Sequence, residues 1–419
     1  MTREADGRTW LTARRLRAHG MLLGLVLWSV YLWTLATPGW RDRNGNLKGT
    51  DFLHFYTLGC LAAEHRGADL YDMNAPSALA AQRVPDAAGI RYLPLYPPQV
   101  SILFAPLAHF SYGSALAIWW GFGTVIYGVS CFAVWRVCPE LRNCSWTVAL
   151  LAVAFPAFFY LIAWGQTAAL ALAFFTLAFL LLRQRRAFLA GLAFGCLAFK
   201  PQLGLAVAVV FVAVGAWRIV AGAVLSAAAQ LSAGVFYYGM EPLRTWLRML
   251  SGVRRVLPWF EPRPYQTHCL RTFWSMILPW QSVSFALYVI SALLVLGVTV
   301  TIWLRPVPLS LRYSALLLAT ILVAPHLTVY DLVILAPAVL LVADWLLTVN
   351  SAAATRRMGS LVYLIYVLPL LGPLARWTHV QLSVIAMVAL LYFIVLASYG
   401  RQGKALTTND TKVHEGLPC

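Results

Sequence analysis

Apolar residues run through this chain in long blocks separated by short polar turns, and the blocks have helical length. An α-helix needs about 20 apolar residues to cross a hydrocarbon layer of about 30 Å. The blocks place helices near 18–36, 113–136, 146–163, 167–183, 187–199, 203–216, 219–238, 281–304, 307–324, 329–348, 359–374 and 379–399, twelve in all. The runs 187–199 and 203–216 are short for full crossings, yet a re-entrant pair would return the chain to the same side, so the parity of the other helices is unchanged. The expected fold is an all-α polytopic integral membrane protein with about 12 (10–13) transmembrane helices. A single domain covers residues 1–400, and a polar cytoplasmic tail covers 401–419. The first run follows Arg14-Arg15-Leu16-Arg17 without a clear small-residue cleavage site, and is expected to stay as a helix.

Two long segments interrupt the pattern, 37–112 and 239–280. Within the first, Phe52, Phe55, Tyr56, Leu58, Gly59 and Ala62 recur at helical spacing, which predicts an amphipathic helix over 51–65 lying at the membrane interface. Composition agrees with the pattern: 61% of residues are hydrophobic, 11% are charged, and mean hydropathy is +0.72. Charge adds orientation. Lys and Arg number 32 against 15 Asp and Glu, a net +17. Arginines gather at the N-terminus and at every second turn (Arg136 and Arg142; Arg183, Arg185 and Arg186; Arg218; Arg305 and Arg312; Arg356 and Arg357; Arg401). By the positive-inside rule both termini are cytoplasmic, in a bacterial inner membrane, and 37–112, 239–280 and the turns at 164–166, 200–202, 325–328 and 376–379 face the periplasm or exterior. Nucleic acid is not an implied partner. Of the seven cysteines only Cys60 and Cys269 fall in external loops, so one disulfide is possible there, and no metal-ligand spacing occurs.

Candidate chemistry collects on that external face. Asp51, just past the first helix among aromatics, is placed for a catalytic base; it could equally cap the helix starting at Phe52. Lys200 sits between two apolar runs, where an ammonium must meet phosphate, carboxylate or water. His326, after Pro325, is either a ligand or a turn residue. Arginines 244, 248, 254, 255, 263 and 271 alternate with aromatics in 239–280, which suits a lipid-linked phosphate, and Arg254 and Arg255 are the candidates for it. Tyr56, Tyr96, Gln166, Gln202 and Asp331 are candidates for supporting the substrates, although Asp331 also suits the start of the next helix. Tyr96-Pro97-Pro98 fixes loop shape as well. Asp344 is expected to be a solvated or paired structural charge. There is no Walker A loop, dinucleotide fingerprint or paired Asp-X-Asp motif, so a sugar donor would not be a nucleotide. The scattered acids imply neither a divalent metal nor another cofactor.

The runs Asp51-Phe52-Leu53-His54-Phe55-Tyr56, Arg66-Gly67-Ala68-Asp69-Leu70-Tyr71-Asp72 and Leu95-Tyr96-Pro97-Pro98-Gln99 resemble the first external loop of glycosyltransferase family 87. Trp164-Gly165-Gln166, Phe199-Lys200-Pro201-Gln202 and Ala324-Pro325-His326-Leu327-Thr328-Val329-Tyr330-Asp331 look like its later signatures in the same order. The resemblance spans roughly residues 20 to 400. It implies the multi-spanning GT-C fold and transfer of mannose from a polyprenyl-phosphate donor to a lipid or glycolipid acceptor within the membrane. By resemblance, Asp51 matches the family's catalytic acid and His326 a histidine near the donor phosphate. Two other readings remain open: a transporter or flippase of lipid-linked intermediates, and a lipid-linked glycan ligase or polymerase. Against the first, charges gather at helix ends and no internal repeat is detected.

Overall fold

The computed structural model describes residues 11–252, 263–349 and 351–405. All regular structure among the described residues is helical, with two isolated β-bridges, Arg41 with Leu47 and Thr267 with Thr328. Seven helices are long and apolar enough to cross a membrane: Ala13–Leu35, Tyr112–Arg136, Trp217–Tyr238, Gln281–Trp303, Val329–Thr348, Thr355–Thr378 and Leu382–Tyr399. The pair Glu140–Val153 and Pro156–Trp164, bent by 42°, has the length and apolarity of an eighth span when taken together. The other four expected helices are present but shorter, at Ala168–Arg183, Ala187–Phe199, Pro201–Ala213 and Leu309–Val323. Leu309–Val323 is buried along nearly its whole length, so neighbouring helices surround it where lipid surrounds a full span.

The bend has an identifiable cause. Pro156 has no N–H and its ring displaces the carbonyl four residues earlier, at Ala152. In hydrocarbon such carbonyls need partners. Three side chains supply them: Tyr366 donates to Leu151 O at 2.9 Å, Tyr127 to Ala152 O at 2.8 Å, and the Trp28 indole to Val153 O at 3.0 Å. Elsewhere close backbone approach depends on glycine. A Cβ on Gly191 would lie 2.1 Å from the Ile219 carbonyl oxygen, and one on Gly222 would lie 2.2 Å from that of Phe188. The small residues let the Ala187–Phe199 helix lie directly on Trp217–Tyr238, which positions the Lys200 turn.

The interfacial helix expected over 51–65 is not interfacial. Phe52–Ala63 is buried at every position from Phe52 to Ala62. It is apolar on all sides rather than amphipathic, and Phe55 stacks on Phe104 with ring centroids 4.9 Å apart. Amphipathic character is found instead in the 239–280 segment, where Met240–Ser251 anchors the Trp246 indole on Leu95 O at 2.9 Å while Leu247 stays exposed. Cys60 and Cys269 are buried thiols, and the disulfide considered between them is not made. Asp344 accepts the backbone N–H groups of Glu140 at 2.8 Å and Leu141 at 3.1 Å, so it is a structural cap. The last helix runs to Ala405, into the stretch expected to be tail.

Candidate active site

Asp51 is held by its backbone as much as by its side chain. Gly49 takes a left-handed φ of 66° and closes a turn in which Phe52 N–H donates to Gly49 O at 2.8 Å. Tyr112 donates to Lys48 O at 2.7 Å, Tyr92 donates to Thr50 O, and the Asp51 N–H donates to Trp164 O at 2.9 Å. Trp164 opens the second element, Trp164-Gly165-Gln166. Gly165 has φ 66°, and a Cβ there would fall 2.6 Å from Phe52 Cβ, so the two loops can touch only through glycine. The Trp119 indole donates to Gly165 O at 2.9 Å and fixes the turn.

Of the two roles open to Asp51, the capping one is not taken. The carboxylate makes no capping bond to its own helix. Its Oδ2 accepts from Gln166 Nε2 at 2.6 Å, while Gln166 Oε1 accepts the Thr167 N–H at 3.2 Å, so the amide is oriented with its donor toward the acid. Burial raises the Asp51 pKa from the ordinary 3.8 to about 6; the Gln166 bond and the nearby charges of Lys200 and His326 oppose the rise, and Asp331 adds to it. A carboxylate in this state can accept a proton near neutral pH.

Lys200 meets a carboxylate. Its Nζ donates to Asp331 Oδ1 at 2.5 Å, with both side chains buried, and lies 5.1 Å from the Tyr330 ring centre. Burial works to lower the Lys200 pKa, but Asp331, Tyr96 and Asp51 outweigh it, and the net shift is upward, so the ammonium stays charged. Asp331 also accepts the Thr328 N–H on Oδ2 at 3.3 Å, in a reciprocal capping box that starts the next helix. The helix-start role expected of Asp331 is thus present, and the same carboxylate pairs with Lys200.

His326 lies in the turn before that box. The Thr267–Thr328 bridge joins the turn to the 239–280 segment, and His268 N–H donates to Leu327 O at 3.3 Å. Arg271 Nε donates to Pro325 O, next to His326. Tyr96 packs edge-on against Phe55 at 5.0 Å; burial raises its pKa, and the charges of Lys200, Asp331 and Asp51 all act on it. Asp51, Gln166, Lys200, Asp331, His326 and Tyr96 thus form one electrostatic cluster. Two candidates stand apart. Tyr56 is buried and donates to Phe110 O at 2.9 Å, which makes it a loop anchor, and Gln202 sits half-buried in the Pro201–Leu203 turn. Arg254 and Arg255 lie outside the described residues.

Three participants were not singled out from sequence. Arg271 was one arginine among six, and nothing in the spacing marked it. Tyr92 clamps Thr50 across a long loop. His54 follows Asp51 by three residues, a spacing that places both on one helical face. It is 7% exposed, its Nε2 has no hydrogen-bond partner among the described residues, and burial lowers its pKa to about 4, so it is neutral. Among the described residues no three His, Cys, Asp or Glu side chains converge as a metal site.

The membrane-crossing helices and the buried acid–amide–lysine cluster define a polytopic membrane protein with an enclosed polar site at one end. The family model of glycosyltransferase family 87 matches residues 95–329, more than half of the chain, and the protein belongs to that family. It is a membrane glycosyltransferase. The matched region contains Tyr96, Gln166, Lys200, Gln202 and His326, and Asp51 precedes it. No curated protein and no solved structure matches the chain.

Proposed function

We propose that the protein transfers a hexose, mannose in the first instance, from a polyprenyl-phosphate donor to a hydroxyl of a lipid or glycolipid acceptor, on the external face of the inner membrane. The observation that carries the reading is Asp51: a carboxylate held by Gln166, raised to about 6, and facing a lysine and a histidine. In the reaction the acceptor hydroxyl gives its proton to Asp51 as its oxygen bonds to the anomeric carbon. The bond from that carbon to the phosphate oxygen breaks, and its electron pair leaves with the polyprenyl phosphate. One base and one displacement invert the configuration. Lys200 is the buried cation we assign to the leaving phosphate, retaining two N–H donors beyond the one given to Asp331, with His326 and Arg271 as further candidate ligands. Positive-inside placement of the arginines supports cytoplasmic termini and an external site.

The test is transfer from radiolabelled polyprenyl-phosphate mannose to a membrane lipid extract by reconstituted protein. Asp51→Asn should lower turnover by about 10² to 10⁴-fold, the usual contribution of a general base, without loss of fold. Equal transfer by both proteins would remove Asp51 from the reaction. Transfer only from a lipid-diphosphate donor would point to a ligase or polymerase.

A further inference from the structure

A cavity of about 330 Å³ lies on the far side of the bend from Asp51. Its floor is the bend itself, at Ala152, Phe155 and Tyr366, where the tyrosine hydroxyls are turned away into hydrogen bonds with carbonyls. Its walls are apolar faces of the Ala336–Thr348 and Ala352–Val367 helices, among them Leu340 and Ala343. Among the described residues the charged side chain in the lining is Arg356, at the mouth, and no acid lines it. Exposed Arg14, Arg17 and Arg357 flank the same end of the bundle. From Arg356 to Tyr366 is ten residues, about 15 Å at 1.5 Å per residue. That is half of a hydrocarbon core of about 30 Å, the depth of one leaflet.

We infer that this cavity is a binding site for one tail of an anionic phospholipid, drawn from the leaflet opposite the catalytic face, with its phosphate at Arg356. A cavity one leaflet deep, mostly apolar in its lining and cationic at its mouth, matches a lipid in both shape and charge. The volume lies in the range of specific ligand pockets. The chain's first ten residues are a poorer match, because Arg3, Glu4, Asp6 and Arg8 would bring charge into an apolar wall.

The test uses the full chain in mild detergent and native mass spectrometry, with dioleoyl phosphatidylglycerol or dioleoyl phosphatidylcholine added as the probe. The protein should retain one phosphatidylglycerol with a preference of about fivefold, the effect of one arginine at a membrane surface. Arg356→Gln should remove the preference, and Ala343→Trp should remove retention of both lipids. Equal retention of the two lipids by the unaltered protein, no retention, or retention undiminished in Ala343→Trp overturns the proposal. A phosphatidylglycerol with a photoreactive group at its tail end tests the unaltered protein alone, should Ala343→Trp not fold. It should label the segments holding Phe155 and Tyr366, and labelling confined to lipid-facing helices such as Gln281–Trp303 is the opposing result.

Discussion

At Asp51 the desolvation that readies the carboxylate for a proton also costs folding stability. The folded pKa of about 6 exceeds the ordinary 3.8, so the folded protein binds a proton more tightly than the unfolded chain does. The stability this contributes is full below pH 3.8 and is lost as pH rises through about 6. Asp51→Asn, which cannot ionise, should therefore raise the unfolding temperature at pH 8 and lose that advantage near pH 4. Thermal scans at both pH values check it, with about 1.4 kcal/mol per pKa unit as the upper scale. Turnover should run the opposite way in the unaltered protein. A base must be ionised, so kcat/KM should fall as pH drops through about 6. Gln166 holds the pKa down, and Gln166→Leu should move that acid limb to higher pH. An unmoved limb in the pH profile would detach Gln166 from the titrating group. Sequence spacing could nominate Asp51 and Gln166 separately, but their 2.6 Å bond crosses 115 positions and depends on folding.

At the scale of elements, the site depends on the meeting of two turns at Gly165. Alanine there would meet Phe52 Cβ at 2.6 Å in a backbone region that side chains avoid. Gly165→Ala should lower kcat by about 10²-fold, the usual effect of a displacement near 1 Å, and destabilise by roughly 1–3 kcal/mol. Gly45→Ala is the control: its φ of 78° carries similar strain, but nothing lies within 4 Å, so activity should persist. Turnover and unfolding temperature, measured on both variants, separate the contact from the strain. Helix positions were legible because the apolar blocks ended in charged turns, as at Tyr112–Arg136 against the expected 113–136. The setting of Phe52–Ala63 was not, because a uniformly apolar run reads alike at an interface and in a core. What settles it is Phe104, whose carbonyl approaches Gly59 so closely that a Cβ would lie 2.3 Å away.

The whole molecule separates two chemical ends. One carries the acid–amide–lysine cluster, the other an arginine collar, and the alternation of basic turns predicts which faces the cytoplasm. Cysteine reporters at the exposed positions Asn44 and Gln184 test this. In intact cells a membrane-impermeant thiol reagent should label Asn44→Cys above the parent background and leave Gln184→Cys unlabelled until the membrane is opened. The reverse pattern would invert the topology. The expected orientation rests on counts of arginine, whereas the pairing of Lys200 with Asp331 had no signal in the sequence, since the two stand 131 residues apart.

That separation also sets an order of events while the chain is being made. At about 5–20 residues per second, the ribosome reaches Asp331 on the order of 10 s after Lys200. Throughout that interval the ammonium lacks the carboxylate that hydrogen-bonds it in the folded protein, and Asp51 is the acid of the cluster already made. The carboxylate that neutralises it arrives with the start of the Val329–Thr348 span, whose first turn the same carboxylate caps. Completion of the lysine's ion pair and docking of that late helix are thus one event, so a chain truncated before Asp331 lacks the partner with which Lys200 is buried.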